Sequence, residues 1–499
     1  MDYATHFATI PGTSEYFRSR SLGHSLGTAP VALGRTGLFV SPVGFGGYRV
    51  DEEDPTHSSA LELALLSGCN LIDTSSNYTD GGSERLIGFL LKKLIEEKKI
   101  RREEVVIVTK AGYVQGKNME LVRERESAGH PFPDMVKYTE DCWHCISPDF
   151  LEDQITRSLA RLGLKTVDFL LLHNPEYFLK TDANHSEYYA RIRRAFEHLE
   201  KECARGRVRG YGISSNTFPV SKEDPEYTSL ESVISLAEEI SSDHHFQVIE
   251  FPLNLFEPGA VFEENNSGKT VAALAREKGL GTLINRPLNS FHEQTLVRLA
   301  DFPPHDDEDI VGNLKESWSL AMELEQEYPK ITGSEPIPAS RLAWGHIIRA
   351  HFERLSEIDA WKQTLRWQIG PSLENSLTAL TRDSAFHAWI KEYRAATSRL
   401  FTAITAYLEN QASFRSDRIA ALLDHAYPPI QTSQTLSRKV IRLYRSIPGI
   451  DCILVGMRRP EYVKDVLALE PPIPESAARK AWMIAAEKGM ESGDSETAH

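Results

Sequence analysis

The sequence predicts an α/β chain built as a (β/α)8 TIM barrel with a large helical insertion after its seventh strand. Three observations carry that prediction. Short apolar or β-branched runs alternate with amphipathic helical stretches, and eight such pairs can be counted along the chain. The strand runs are apolar almost throughout, as expected for strands buried on both faces of a parallel sheet. No G-x-G-x-x-G follows an early strand and opens a helix, which disfavours an open, doubly wound sheet.

Each unit can be justified in order. Val43–Phe45 is the first strand, followed by a helix over about 58–67. Asn70–Asp73 is the second, and Ser83-Glu84 opens a helix with Leu86, Ile87, Leu90, Leu91 and Leu94 at the spacing of one face. Val105–Val108 is the third strand; its helix starts at about Pro148, after a long βα loop from Gly112 to Ser147. The strands Val167–Leu172, Val208–Ile213, Phe246–Phe251 and Gly281–Ile284 alternate with helices over about 186–205, 229–241 and 270–278. Thr435–Ser446 reads as a helix, Asp451–Val455 as the eighth strand and Pro460–Ala468 as the last helix.

Residues 1–30 are rich in Ser, Thr, Gly and Pro and read as an irregular arm, and 471–499 as a C-terminal tail. The barrel occupies 31–289 and 433–470. Between them lies 290–432, roughly 140 residues, far longer than a connecting loop. It is rich in Leu, Ala, Glu and Arg and carries Trp318, Trp344, Trp361, Trp367 and Trp389. Stretches such as Ala385–Leu408 and Arg415–Leu423 read as separate helices. Rooted after the seventh strand, this insertion starts and ends on the face where barrel chemistry occurs. There it is placed to cap a cofactor, narrow the opening or make a homo-oligomer contact.

Of the 499 residues, 56 are Lys or Arg and 71 are Asp or Glu, a net charge of −15. Such a surface repels phosphate backbones and excludes general nucleic-acid binding. Five cysteines in so long a chain do not form a disulfide framework. No apolar run approaches the ~20 residues of a membrane helix, and the N-terminus lacks a signal-type apolar region. These features point to the cytoplasm. Cys142-Trp-His-Cys145 lacks a second Cys/His pair at zinc spacing, so no metal is expected.

In a barrel of this kind the active site lies where the strands end. The second strand ends at Asp73, with Tyr78 five residues on; the third ends at Lys110 and the fourth at His173. The fifth ends at Ser214-Ser215-Asn216 and the seventh at Asn285-Arg286. An acid, a phenol, an amine and an imidazole form a proton-handling set. A free tyrosine has a pKa of about 10, and an adjacent ammonium favours its phenolate. Such a set can protonate the oxygen of a carbonyl that accepts hydride, or run the reverse oxidation. Tyr138, Trp143, His144 and Tyr177 lie in loops that reach the same mouth.

The segments Leu33–Gly47, Ile72–Tyr78, Val108–Lys110, Leu171–Pro175, Gly212–Asn216 and Val455–Glu461 resemble the aldo-keto reductase superfamily in kind and order. The insertion and both tails lie outside the resemblance. The resemblance implies an NADPH-dependent oxidoreductase acting on a small-molecule carbonyl or alcohol. It makes Tyr78 the general acid, tuned by Lys110; Asp73 supports Lys110 and His173 orients the carbonyl. Ser214, Ser215 and Asn216 match the family's carboxamide-binding positions, and the turn Gly456-Met457-Arg458-Arg459 its site for the adenosine 2′-phosphate. A helix N-terminus beside two guanidinium groups suits phosphate.

Two positions depart from the family pattern. Glu250 stands where the family often has Gln at the end of the sixth strand. Asn285 and Arg286 stand where it often supplies an aromatic that stacks on nicotinamide. These departures keep open a second expectation, an NADPH-binding redox-sensing or scaffolding barrel with little turnover.

Overall fold

A computed structural model describes residues 6–21, 29–292, 295–302, 309–333, 337–338, 341–355 and 358–490. The chain divides into two compact units: 1–290 with 423–499, and 291–422.

The first unit is a closed barrel of eight strands. They are β1 (Val43–Gly46), β2 (Leu71–Asp73), β3 (Val106–Ala111), β4 (Val167–His173), β5 (Val208–Ser214), β6 (Phe246–Pro252), β7 (Gly281–Asn285) and β8 (Cys452–Val455). Neighbours pair in parallel around the ring, and β8 pairs with β1 to close it. The helices between them are α1 (Pro55–Leu66), α2 (Gly82–Glu96), α3 (Pro148–Leu162), α4 (His185–Ala204), α5 (Leu230–Ile240), α6 (Val271–Glu277), α7 (Leu436–Arg445) and α8 (Pro460–Leu467). Their starts are fixed locally. Asp54, Ser229, Thr270 and Thr435 each accept a hydrogen bond from a first-turn N–H, of Thr56, Ser232, Ala273 and Arg438 respectively. Pro occupies the first turn of α1, α3 and α8.

Alternate strand residues point inward. Leu71, Val106, Val108, Phe169, Leu171, Val248, Leu283, Cys452 and Leu454 form one apolar cluster with Leu33, Leu38 and Val40. The last three come from a small hairpin, Val31–Ala32 with Phe39–Val40. At Gly212 on β5 an added Cβ would lie 1.7 Å from the Val248 carbonyl oxygen, where the β5–β6 register shifts. Only glycine permits that approach. Gly212→Ala is expected to destabilise the barrel by about 1–3 kcal/mol or more, measured by denaturant unfolding.

Several sequence expectations are corrected. The arm at 1–30 is not irregular where described, since Ile10–Ser21 is helical. Its polar composition hides the contacts that order it. Tyr16 is fully buried and donates its hydroxyl to Leu65 O at 2.5 Å, and Ala8 N donates to Asp168 Oδ1 at 2.6 Å. The tail likewise contains a helix, Glu475–Met490. Trp482 anchors it, buried against Tyr444 and donating Nε1–H to Leu255 O at 3.0 Å. Residues 1–5, 22–28 and 491–499 lie outside the described residues.

The stretch Gly112–Ser147 is more than a loop. It holds a helix, Gly116–Ser127, and a three-stranded antiparallel sheet of Tyr113–Val114, Cys142–His144 and Val136–Thr139. Val114, Met119, Val122, Phe132, Trp143, Cys145 and Phe150 give it a core of its own.

The second unit begins in a hairpin, Asn289–His292 with Thr295–Arg298, and is otherwise helical. The two helices read at 385–408 and 415–423 are one, His387–Ala426, because no Gly or Pro interrupts them. The unit has its own core, with Trp318, Trp361, Trp389 and Tyr393 buried. Trp367 is 69% exposed. Residues 423–432 belong to the barrel unit rather than the insertion: Lys439 of α7 grips Asp424 through both carboxylate oxygens, at 2.6 and 2.7 Å.

Candidate active site at the barrel mouth

The period of two that fills the barrel also builds the site. Asp73 stands two residues beyond Leu71, Lys110 beyond Val108, His173 beyond Leu171, Glu250 beyond Val248 and Asn285 beyond Leu283. Each is therefore the next inward position at its strand's C-terminal end. Register agrees, since Ser214 pairs with His173 on one side and with Glu250 on the other.

Lys110 is the centre. Its side chain is fully buried, and Nζ lies 2.5 Å from Asp73 Oδ1 and 3.1 Å from Glu250 Oε2. The first contact is a hydrogen bond; the second is an ion-pair contact, and Oε2 has no hydrogen-bond partner among the described residues. Asn285 Nδ2 donates to Glu250 Oε1 at 2.9 Å. Burial works against the Lys110 ammonium, but the charges of Asp73 and Glu250 outweigh it and hold the group protonated. Asp73 is pushed up to about 8, mainly by burial and further by Glu250, against the pull of Lys110. Two carboxyls share one ammonium, so the cluster retains an additional proton near neutral pH.

Tyr78 follows β2 at the head of a strained turn. Thr79 and Asp80 have φ of 48° and 52°, left-handed values that non-glycine residues adopt at a cost. The turn is held by Thr79 Oγ1, which donates to Val50 O at 2.5 Å and accepts from Ser83 N. Lys110 Nζ lies 5.4 Å from the Tyr78 ring centroid. The phenol does not titrate as the sequence suggests. Burial raises its pKa more than Lys110 lowers it, and Asp73 and Glu250 raise it further. Tyr78 is thus held as a protonated donor.

His173 meets Tyr78 edge-on, 5.9 Å between ring centroids. Burial, then the charge of Lys110, hold its pKa well below 6.5, so the imidazole is neutral. Its Nδ1 lies 3.1 Å from Ser75 Oγ, which leaves Nε2 for a ligand.

The residues expected at a cofactor are brought together only in part. Ser214 is the inward-facing member of its run. The Ser215 hydroxyl contacts Thr217 and Thr228 instead, at 3.2 and 3.5 Å, and is buried with them. Asn216 Oδ1 accepts from Arg286 Nη2 at 2.9 Å, and Arg286 Nη1 lies 3.4 Å from Glu257 Oε1. Arg286 itself has φ 53°. It therefore clasps the ends of β5 and β6 rather than standing open. Gly456, Arg458 and Arg459 follow β8 and precede α8. Gly456 and Arg459 are exposed and Arg458 half-buried. A Cβ added at Gly456 would meet open space, and the Arg459 guanidinium lies 6.0 Å from the Tyr462 ring centroid.

Residues 42–230, from β1 to the start of α5, match the model of the aldo/keto reductase family. Over these residues the barrel is similar to that family. The NADH-specific methylglyoxal reductase of Escherichia coli is 32% identical over 150 residues, 30% of this chain and 40% of that protein. The 6-dehydroglucose reductase of Novosphingobium aromaticivorans is 28% identical over 193 residues, covering 37% and 51%. The D-threo-aldose 1-dehydrogenase of a Pseudomonas species is 32% identical over 199 residues, covering 38% and 54%. The chain thus spans about half the length of these relatives, or less. No helix of the described residues is long and apolar enough to cross a membrane.

Of the other groups around the site, Tyr138, His144 and Tyr177 were expected at the mouth from the sequence, whereas Ser75, Tyr113 and Glu176 were not singled out by it. Ser75 holds His173 and also donates to Asn77 Oδ1 at 2.6 Å. His144 places Nε2 2.7 Å from the His173 carbonyl oxygen; because a carbonyl only accepts, Nε2 carries the proton. Burial lowers the His144 pKa to about 4. The Cys142–Cys145 segment therefore braces the strand that carries His173. Cys145 Sγ lies against Pro133 O and Ser147 Oγ. Tyr113 packs edge-on against both His173 and Tyr177, at 4.6 and 5.0 Å, and Tyr138 lies 5.2 Å from Tyr177. Glu176, fully buried, accepts from Asn216 N at 2.8 Å, and burial raises it to about 7. The only signal for these was position: polar residues within a few places of a strand end.

Proposed function

We propose that this barrel catalyses hydride transfer between a nicotinamide dinucleotide and a small carbonyl or alcohol, with Tyr78 as general acid in reduction. The observation that supports this best is the buried ammonium of Lys110, held by Asp73 and lying against the ring of a protonated Tyr78 beside a neutral His173. Such an arrangement delivers a proton to an oxygen while excluding water. Tyr78 gives its hydroxyl proton to the substrate oxygen. Lys110 stabilises the phenolate left behind, and Asp73 keeps Lys110 in place. His173 presents Nε2 as an acceptor, because Ser75 donates to Asn77 and so accepts from the Nδ1–H, and it orients the alcohol hydroxyl in the oxidation direction.

The residues fit a dinucleotide. Asn285 Oδ1 is buried without a hydrogen-bond partner among the described residues, an acceptor suited to a carboxamide N–H. Ser214 faces the same mouth. Arg458 and Arg459 suit a phosphate at the start of α8. Bound there, the dinucleotide supplies or accepts the hydride. The two arginines favour NADPH over NADH. Replacing both by Ala is expected to raise KM for NADPH roughly tenfold to a hundredfold, the worth of one charged hydrogen bond at about 1.5–3 kcal/mol. The value for NADH should change little. An equal loss with both nucleotides would remove the assignment.

Oxidation of NADPH by a panel of aldehydes, ketones and sugars, followed by absorbance, tests the reaction itself. Tight nucleotide binding with no turnover on any of them would assign a sensing or scaffolding barrel instead.

A further inference from the structure

Glu250 changes the charge of the site in a way the catalytic four alone do not require. Three charged side chains meet in the barrel mouth, and all are buried: Lys110 is 0% exposed, Glu250 3% and Asp73 5%. With Asp73 and Glu250 ionised, one positive charge faces two negative ones. The other groups around the cluster do not restore the balance. Tyr78, from the turn after β2, and His173 of β4 are neutral. Ser214 of β5 and Asn285 of β7, which flank Glu250, carry no charge. Arg286, just beyond β7, is paired with Glu257, and Glu176, beyond β4, adds only a further acid. A glutamine at 250 would keep the contact with Asn285 and carry no charge.

We infer that Glu250 biases the site toward the oxidised, cationic form of a nicotinamide dinucleotide, so that the barrel works preferentially as a dehydrogenase of hydroxyl groups. The inference rests on the cofactor reading above. Reduced nicotinamide is neutral and the oxidised ring carries one positive charge. Once Asp73 has given up its proton, above about pH 8, a net negative cluster beside Ser214 and Asn285 distinguishes the two by charge alone. In the favoured direction the alcohol carbon loses a hydride to the oxidised ring and the C–O single bond becomes double. Tyr78 first releases its own proton to solvent, and the phenolate, stabilised by Lys110, then takes the hydroxyl proton of the alcohol. One alcohol and one oxidised dinucleotide give one carbonyl, one reduced dinucleotide and one proton. The bias acts on binding and leaves the overall equilibrium of the reaction unchanged.

The cluster also gives the preference a pH dependence. Asp73 titrates at about 8 because burial and Glu250 both oppose its charge. As pH rises through that range the additional proton leaves, the cluster becomes net negative, and the preference for the oxidised form grows.

The test is direct binding of NADP+ and NADPH to the full chain by calorimetry. At pH 9, Glu250→Gln is expected to shift the ratio of the two dissociation constants roughly tenfold toward the reduced form. In the wild type the preference for NADP+ should rise between pH 6 and 9. A Glu250→Gln ratio within twofold of wild type would overturn the inference while leaving the cofactor reading intact. Should the variant not fold, a wild-type ratio that is flat with pH overturns it equally. Failure of the wild type to bind either nucleotide would remove the cofactor reading and the inference together.

Discussion

Tyr78→Phe is expected to lower kcat by roughly 10²- to 10⁴-fold in either direction, the usual contribution of a positioned acid or base. It should leave nucleotide affinity and stability nearly unchanged. The substitution removes one oxygen and keeps the ring. The ring's own contacts, with Tyr48 at 5.3 Å, His173 at 5.9 Å and Lys110 Nζ at 5.4 Å from its centroid, do not depend on the hydroxyl. The phenol is also protonated at neutral pH, as a reduction requires. His173 is held far below its usual pKa and carries no proton to give beyond that of neutral imidazole. Lys110 is locked as an ammonium by two carboxyls. Steady-state kinetics together with nucleotide titration separate the two effects. A variant that retains full activity would show that the acid lies elsewhere in the mouth.

The strands were legible because a barrel interior obeys a period of two. In Val106–Val108–Lys110 and Phe169–Leu171–His173 an apolar pair is followed by a polar residue at the same inward phase. That pattern marks a strand's end and its active-site residue together. What escaped the sequence was partnership at a distance. The helix Ile10–Ser21 has too few apolar residues to announce itself and is ordered through Tyr16 and its neighbour Ala8. Arg286 reads as an open cation after β7, but Glu257, from the segment after β6, occupies it. Ser215 reads like Ser214, yet one step along a strand turns a side chain to the opposite face. The upward shift of Tyr78 was likewise invisible, because burial has no sequence signature comparable to a neighbouring lysine.

Lys110→Met is expected to be the most damaging single change in the barrel. It removes activity and costs about 3–5 kcal/mol of stability, the usual penalty for leaving buried charge uncompensated. The methionine fills most of the lysine's volume, so packing accounts for little of the loss. What remains is Asp73 and Glu250, both buried, without their shared ammonium. Folding then requires these carboxyls to hold protons that the unfolded chain releases at an ordinary carboxylate pKa. The folded state binds more protons than the unfolded state, so stability falls as pH rises above about 4. Wild-type Asp73, already at about 8, shows the same sign with Lys110 present. Urea unfolding at pH 5.5 and pH 8.5 should therefore reveal a larger loss at the higher pH. Adding Glu250→Gln to Lys110→Met removes one of the stranded carboxylates. It should recover part of the stability, most visibly at pH 8.5, and none of the activity. A double variant no more stable than Lys110→Met would show that Glu250 bears no charge in the folded barrel, and that Asp73 alone balances the lysine.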